Sequence, residues 1–224
     1  MVYNLLKGVN KYYDMMWDEI NTFKYNDIVE FGLHLLANVP QYFLSVPASS
    51  SGKYHPVGDL GEGGLVRHSI SVKRILDHLL EPYGYYNLSD RRMELLKLAA
   101  LFHDCMKCGT QMEYNTVSKE TQFLHPIQAA NFIMYQACAT EFDYNDAKFV
   151  ADAISTHMGQ WNRNKKGMGK LPMPEEPYQK ALHLADYLAS RKDINIVLKE
   201  EENPEEVIDG ENDGEVTETE KKGE

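Results

Sequence analysis

The chain has 224 residues, of which 43% are hydrophobic and 11% aromatic, so most of it can bury a core and a disordered main body is excluded. Its formal net charge is −11, but residues 199–224 hold twelve acidic residues and three lysines and therefore carry −9 of that charge. The remaining body is close to neutral, which argues against an extended basic face and a stable duplex nucleic-acid partner.

The cysteine content and the N-terminal segment bear on the cellular compartment. Three cysteines in a chain of this length predict reduced thiols rather than a disulfide framework. The first twenty residues lack an apolar stretch long enough for a signal peptide. No segment approaches the roughly 20 apolar residues that a membrane span needs. We therefore predict a soluble, intracellular protein with no membrane partner.

Apolar residues recur at three- and four-residue steps through most of the first 193 residues, a spacing typical of helices. The first helical segment covers about residues 1–43, and a loop rich in Ser, Gly and Pro follows over 45–62. Residues 111–123 alternate weakly and form either a short hairpin or a loop. Further helices are predicted over about 65–80, 90–104, 126–140, 144–156 and 175–191, with a basic loop at 160–170.

The helix that ends at His103 and Asp104 is apolar nearly all round, so it should lie at the centre of the fold. Strand signals are few, and no internal repeat is present. We therefore predict one all-α domain over residues 1–198. Residues 199–224 are poor in apolar side chains and rich in like charge, so we predict a disordered acidic tail there.

Several polar side chains stand where their neighbours favour burial. Burying histidine or aspartate is costly unless the group finds a partner, and a shared cation is one such partner. Any one of these residues alone is also explained as a helix cap or a hydrogen-bonded core group. The residues concerned are His68, His103, Asp104, His125, His157 and Asp186.

Three sequence elements in this set resemble the H…HD…D signature of the HD-domain phosphohydrolase superfamily. Gly63–His68 (GGLVRH) resembles the G-G-L-x-x-H helix start of that family, and Leu101–Lys107 (LFHDCMK) resembles its L-x-H-D-x-G-K element. Met106 replaces the usual glycine of the second element, which leaves the backbone path after Asp104 open. Ala181–Asp186 (ALHLAD) resembles the closing helix of the family. The resemblance covers roughly residues 54–193.

This resemblance implies an all-α helical bundle with a metal site at its centre. In the family, the four signature positions bind a divalent metal, and two further histidines mark the two-metal members. The implied ligands are His68, His103, Asp104 and Asp186 for one ion, and His125 and His157, with Asp104 bridging, for a second. A set of imidazoles and carboxylates suits one or two ions of Mn, Fe, Co, Ni or Zn better than Mg or Ca.

The resemblance also predicts the reaction. We expect a phosphohydrolase in which metal-activated water cleaves a phosphoester of a nucleotide or short oligonucleotide. The residues around 53–55 and after His157 are similar to the catalytic domain of bacterial 3′–5′ exoribonucleases of the HD type, but this chain has no room for their OB module. A 3′–5′ single-strand exonuclease and a non-catalytic metal-binding interaction protein are the alternatives. Small HD proteins of this size include phage-encoded ones, so we place the protein in the cytoplasm of a bacterial or phage-infected cell.

Further residues are predicted to act on the substrate. Lys107 and Arg67 would neutralise phosphate oxygens, and His55 would contact phosphate or donate a proton to the leaving group, with Asp104 as the central catalytic carboxylate. The basic loop after His157 would attract a polyanion, and aromatic side chains would stack on a base. The candidates in this group are Arg163, Lys165, Lys166, Trp161 and Tyr54. We interpret His34, His78 and His183 as structural or surface residues, and Cys105-x-x-Cys108 as neither a redox nor a zinc motif.

Overall fold

The computed structural model describes residues 7–49, 51–80, 87–109, 121–164, 167 and 169–194. Within these ranges seven α-helices are joined by loops and 3₁₀ turns, and the one β pairing is an isolated antiparallel bridge between Arg163 and Lys170. The predicted all-α fold is confirmed. The helices are α1 (Lys11–Ile20), α2 (Asn26–Asn38), α3 (Gly64–Leu80), α4 (Asp90–Phe102), α5 (His125–Cys138), α6 (Tyr144–Ser155) and α7 (Pro177–Ala189).

Polar side chains at the helix starts explain where several helices begin. The side chains of Asn10, Ser89 and Asp143 accept hydrogen bonds from the free N–H groups of α1, α4 and α6. Helix α7 begins with a capping box between Glu176 and Gln179 and has proline in its first turn, where the missing N–H costs nothing. These local signals fix where α1, α4, α6 and α7 begin.

Helix α4 occupies the centre of the bundle, where it packs against α2, α3, α6 and α7. Seven of its last eight residues are completely buried, as its apolar sequence predicts. They are Leu95, Leu96, Leu98, Ala99, Ala100, Leu101 and Phe102. Because the helix ends inside the protein, the two residues that follow it, His103 and Asp104, are delivered to the interior.

In the described part of the segment predicted to be helical over residues 1–43, two helices are separated by a break. This part consists of α1, a break at residues 21–25, α2 and a short 3₁₀ turn at Gln41–Leu44. At the end of α1, the side-chain amide and the backbone N–H of Asn21 both donate to the carbonyl of Trp17. Periodicity alone does not reveal this break, since apolar residues on both sides of it face the same core.

Two adjacent glycines allow the close contacts at the start of α3. Gly63 has a φ of +67°, and a Cβ there would lie 2.1 Å from the ring of Tyr12. A Cβ on Gly64 would lie 2.0 Å from the backbone oxygen of Asp59. The glycines therefore let α3 begin directly against the 3₁₀ turn at Val57–Asp59, which places Asp59 beside His68 in the next turn of the helix.

Some of the predictions lie outside the described residues. These are the acidic tail at 199–224, the domain boundary at 198 and most of the hairpin or loop at 111–123. In the part of the chain that the structure describes, no helix is both long and apolar enough to cross a membrane.

Candidate metal centre

Three of the site histidines are oriented by the same kind of backbone contact. In each, the ring Nδ1 lies within hydrogen-bonding distance of the carbonyl oxygen three residues earlier. Because a carbonyl can only accept, Nδ1 must carry the proton, and Nε2 is left with a lone pair that points away from the helix. The pairs are His103 with Ala100 (2.8 Å), His125 with Gln122 (2.6 Å) and His157 with Ile154 (2.7 Å).

Asp104 lies where these three rings converge. Its Oδ1 is 3.0 Å from Nε2 of His125 and 3.7 Å from Nε2 of His157, and its Oδ2 is 3.6 Å from Nε2 of His103. The Nε2 atoms of His125 and His157 are themselves only 3.2 Å apart. Two lone pairs this close are stable only when a cation or a proton lies between them, as between two ligands of one metal.

His68 and Asp186 complete the cluster from the opposite side. Asp186 projects from α7, and its Oδ1 is 3.1 Å from Nε2 of His68 and 3.6 Å from Nε2 of His103. The structure thus brings together, from five segments of the chain, all six side chains predicted as metal ligands. They are His68, His103, Asp104, His125, His157 and Asp186.

The electrostatics of the cluster match the protonation states that metal ligands require. Burial, together with His103 and His125, lowers the pKa of His157 to about 3, so this imidazole is neutral at physiological pH. Burial opposes ionisation of Asp104, but Lys107 and the neighbouring histidines hold the pKa of Asp104 well below its usual range. The carboxylate of Asp104 is therefore charged, and the imidazole of His157 has a free lone pair on Nε2.

His68 behaves differently because it lies between two carboxylates. Burial opposes its protonation, but hydrogen bonds with Asp186 and Asp59 raise the pKa of His68 to about 9. Without a metal, a proton on His68 thus supplies the positive charge that the carboxylates demand. A metal that binds Nε2 has to displace this proton, so metal binding releases it.

The residues present fit a divalent transition metal. Nε2 of His103 and Oδ1 of Asp104 are buried and have no hydrogen-bond partner, as expected of atoms that bind an ion. Three overlapping groups of ligand atoms lie within 4.8 Å of one another, and each group contains both imidazole and carboxylate donors. Among the described residues, the buried thiols of Cys105 and Cys108 belong to none of these groups. The mixed donors suit Mn, Fe, Co, Ni or Zn.

Lys107 lies directly against the cluster. Its Nζ donates to Oδ2 of Asp104 at 2.5 Å, and its position follows from a turn in which its backbone N–H donates to the carbonyl of Asp104. Tyr42 holds the same turn through hydrogen bonds from its hydroxyl to the carbonyls of Cys105 and Gly109. Met106 does not have a positive φ and is buried, so the turn does not need the glycine usual at that position.

A pocket of about 330 Å³ opens from the cluster to the surface. Asp104, His125, His157 and Asp186 lie on its wall, so candidate ligands face the solvent-filled space. A volume of this size lies at the lower end of the range for small-molecule sites, which is about 300–1,000 Å³. The predicted substrate contacts Lys107, His55, Trp161 and Tyr54 line the same pocket.

Other predicted contacts are not brought to this pocket. The guanidinium of Arg67 donates to three carbonyls of the preceding loop, and Arg67 does not line the pocket. Arg163 is exposed, forms the bridge with Lys170 and does not line the pocket. Lys165 and Lys166 lie outside the described residues.

Two residues near the cluster were not identified from the sequence. Asp59 is buried, and its Oδ2 is 3.5 Å from Nδ1 of His68, where it orients that ring. Arg191 lines the pocket beside Tyr187. Asp59 stands in a loop of Ser, Gly and Pro, where no periodicity signals burial, and Arg191 follows the helix that ends at Ala189. Only the folding of these loops over the cluster reveals them.

The three histidines interpreted as structural or surface residues all lie outside the ligand groups. His34 contacts Gln136 at 2.7 Å, and His78 is exposed. His183 donates from Nδ1 to the backbone carbonyl of His157 at 2.7 Å, so it fixes the segment that carries a candidate ligand. A Cβ on Gly159 would lie 2.3 Å from the His183 ring, which explains the glycine there.

The contact between Asp59 and His68 leads to a prediction. Replacing Asp59 by Asn should lower metal affinity by about 10- to 100-fold, the usual cost of losing a carboxylate that orients a metal-bound histidine. The pKa of His68 should also fall from about 9, because one of the groups that raises it is lost. Metal titration followed by calorimetry, with NMR titration of His68 in the metal-free protein, measures both effects.

A matched control for this prediction is Asp18→Asn, which removes the same charge from an exposed position on α1. Its metal affinity should equal that of the unmodified protein. Unchanged affinity in Asp59→Asn would show that Asp59 does not support the centre.

The fold and the cluster define an all-helical protein with a buried histidine–aspartate centre at the base of a pocket. The family model of the HD domain matches residues 65–191, which is more than half of the chain, and the protein therefore belongs to the HD-domain family. The family is generally one of metal-dependent phosphohydrolases. No curated protein and no solved structure matches the chain, so the nearer resemblance to 3′–5′ exoribonucleases stays a prediction.

Proposed function

We propose that this protein is a metal-dependent phosphohydrolase that cleaves a phosphoester of a nucleotide or short oligonucleotide by means of metal-activated water. One observation carries the proposal. The lone pairs of three pre-oriented histidines, and the carboxylates of Asp104 and Asp186, form overlapping groups of ligand atoms in one buried cluster at the base of an open pocket. A centre that only stabilised the fold would be closed, whereas this one adjoins an open pocket.

Divalent cations bound here would lower the pKa of a water molecule and polarise a phosphate oxygen. His68, His103, Asp104 and Asp186 would hold the first cation. His125 and His157 would hold a second, with Asp104 in reach of both groups because its two oxygens face different histidines. The backbone hydrogen bonds at Nδ1 fix the rings before any ligand binds, which lowers the cost of ordering the site.

Lys107 and His55 act on the substrate in this scheme. The Nζ of Lys107 is bonded to Asp104 and also lines the pocket, so it can neutralise a phosphate oxygen that approaches the centre. Burial, with the neighbouring His68 and Lys107, lowers the pKa of His55 to about 4. His55 is therefore neutral at pH 7 and serves as a hydrogen-bond donor to phosphate rather than as a cationic proton source.

The pocket wall supports a nucleotide as the substrate. Trp161 stacks on Tyr187 with ring centroids 5.6 Å apart and an interplanar angle of 18°, and both rings line the pocket. Aromatic surfaces of this kind stack on bases without strong sequence preference. A phosphate at the centre and a base at this wall would lie in the same pocket.

A substrate screen with added Mn²⁺, Co²⁺ or Ni²⁺ tests the proposal. The substrates are dNTPs, nucleoside monophosphates, cyclic dinucleotides and short oligonucleotides. We expect turnover of at least one of them, loss of turnover with EDTA and recovery when metal is restored. A ladder of shortened products from an oligonucleotide would indicate the exonuclease alternative. Absence of bound metal together with absence of any turnover would leave the non-catalytic alternative and contradict the proposal.

A further inference from the structure

One wall of the pocket carries an arginine held between aromatic rings. The guanidinium carbon of Arg191 lies 4.5 Å from the ring centroid of Tyr187 and 5.2 Å from that of Tyr54. Trp161 extends the row by stacking on Tyr187. All four side chains line the same pocket as Asp104, His125, His157 and Asp186.

Arg191 lacks the carboxylate partners that Arg74 and Arg91 have. Its Nε is buried without a hydrogen-bond partner, and no carboxylate among the described residues forms an ion pair with it. By contrast, Arg74 is paired with Glu19, and Arg91 with both Asp27 and Asp146. A guanidinium fixed by aromatic faces but left without an anion is prepared to bind one.

The charges around Arg191 define what kind of ligand fits. Lys107 lies at the base of the pocket against Asp104, and the Nζ of Lys53 lies 4.9 Å from the ring centroid of Tyr54. Cationic side chains therefore occur in two places, beside the candidate metal centre and beside the aromatic rings. Of the two cations beside the rings, Arg191 lines the pocket. A ligand with two phosphate groups could satisfy both places.

We propose that Arg191 binds a second, non-scissile phosphate of the substrate. The substrate class is then a nucleotide or short oligonucleotide with at least two phosphate groups separated by a sugar, one at the metal centre and one at Arg191. This inference rests on the proposed function, whose substrate class it narrows. Tyr54 and Tyr187 hold the guanidinium in place, so that little side-chain freedom is lost when the phosphate binds.

The alternative role for Arg191 is structural, because its contact with Tyr54 also ties the loop at residues 51–55 to the end of α7. A structural role and a phosphate-binding role differ in one measurable respect. Only the second makes the effect of Arg191 depend on how many phosphates the ligand carries.

The test compares the affinities of adenosine 3′,5′-bisphosphate, adenosine 3′-monophosphate and adenosine 5′-monophosphate for the manganese-loaded protein, measured by isothermal titration calorimetry. The bisphosphate should bind about 10- to 100-fold more tightly than either monophosphate, the usual worth of one charge-assisted contact. In Arg191→Gln this advantage should fall to about threefold or less, while monophosphate affinity changes little. Arg191→Lys should keep part of the advantage, since it retains the charge but not the planar donor pair.

Lys192→Gln is the matched control, because it removes the same charge from the adjacent, exposed position, and it should retain the full advantage. The inference is overturned if the bisphosphate binds the unmodified protein no more tightly than the monophosphates, or if Arg191→Gln weakens all three ligands equally. The readout does not require turnover. An Arg191-dependent advantage with no turnover of any substrate in the screen above would contradict the proposed hydrolysis alone, and hydrolysis without that advantage would contradict this inference alone.

Discussion

Replacing Asp104 by Asn is expected to reduce turnover by about a thousandfold or more and to empty the metal centre. Asp104 is the carboxylate that faces His125 and His157 with one oxygen and His103 and Lys107 with the other. The amide removes the negative charge that would hold the cations, and a loss of about 4 kcal/mol of transition-state stabilisation corresponds to a thousandfold fall in rate. Steady-state kinetics and metal analysis of the purified variant measure the two effects.

The control for this experiment is Asp152→Asn, which alters a half-exposed carboxylate that pairs with Lys148 on the surface of α6. It should retain both metal and activity. Circular dichroism is needed beside the kinetics, because Asp104→Asn also leaves the largely buried Lys107 without its partner. A folded, metal-loaded and fully active Asp104→Asn protein would contradict the proposed mechanism.

Removal of the metal is expected to destabilise the protein by about 3–4 kcal/mol relative to metal present at 100 to 1,000 times its dissociation constant. For a chain of this size the corresponding fall in Tm is roughly 10 °C. The physical reason is the close approach of the Nε2 atoms of His125 and His157, which a cation between them would relieve. Thermal unfolding with EDTA, and again after metal is restored, measures the difference.

The same stabilisation should depend on pH in a defined direction. Hydrogen bonds with Asp186 and Asp59 raise the pKa of His68 to about 9 in the metal-free protein, above its ordinary value of 6.5. Below pH 9 the metal must displace this proton, so the metal-dependent rise in Tm should be larger at pH 9 than at pH 6.5. A stabilisation that is the same at both pH values would show that His68 is not a ligand.

The sequence predicted the fold class and the central helix well because both follow from strong local signals. The apolar run that ends at Phe102 allows only a buried helix, and the doublet after it has to lie in the interior. Candidate ligands were identified because each histidine or aspartate stands at a helix end or beside apolar neighbours. The order of these histidines and aspartates along the chain, rather than any single residue, predicted that they form one site.

The remaining parts of the site depend on contacts that are distant in sequence. The burial of Asp59 results from the loop that folds against Gly64, and nothing within the Ser-, Gly- and Pro-rich segment signals it. Arg67 stands beside a ligand in sequence, but the helix turns its guanidinium towards the loop carbonyls. Arg191 lines the pocket between Tyr187 and Tyr54, and Tyr54 is far away in the chain. Neighbourhood in sequence alone thus does not decide which side chains line the pocket.

The most direct measurement is anomalous X-ray diffraction from crystals grown with Mn²⁺ or Zn²⁺, recorded on either side of the metal absorption edge. One or two anomalous peaks should lie among the side chains of residues 68, 103, 104, 125, 157 and 186, about 2.0–2.3 Å from histidine nitrogens and carboxylate oxygens. A protein that binds the metal in solution but shows its peaks elsewhere, with this cluster empty, would contradict the assignment of the centre and the chemistry proposed for it.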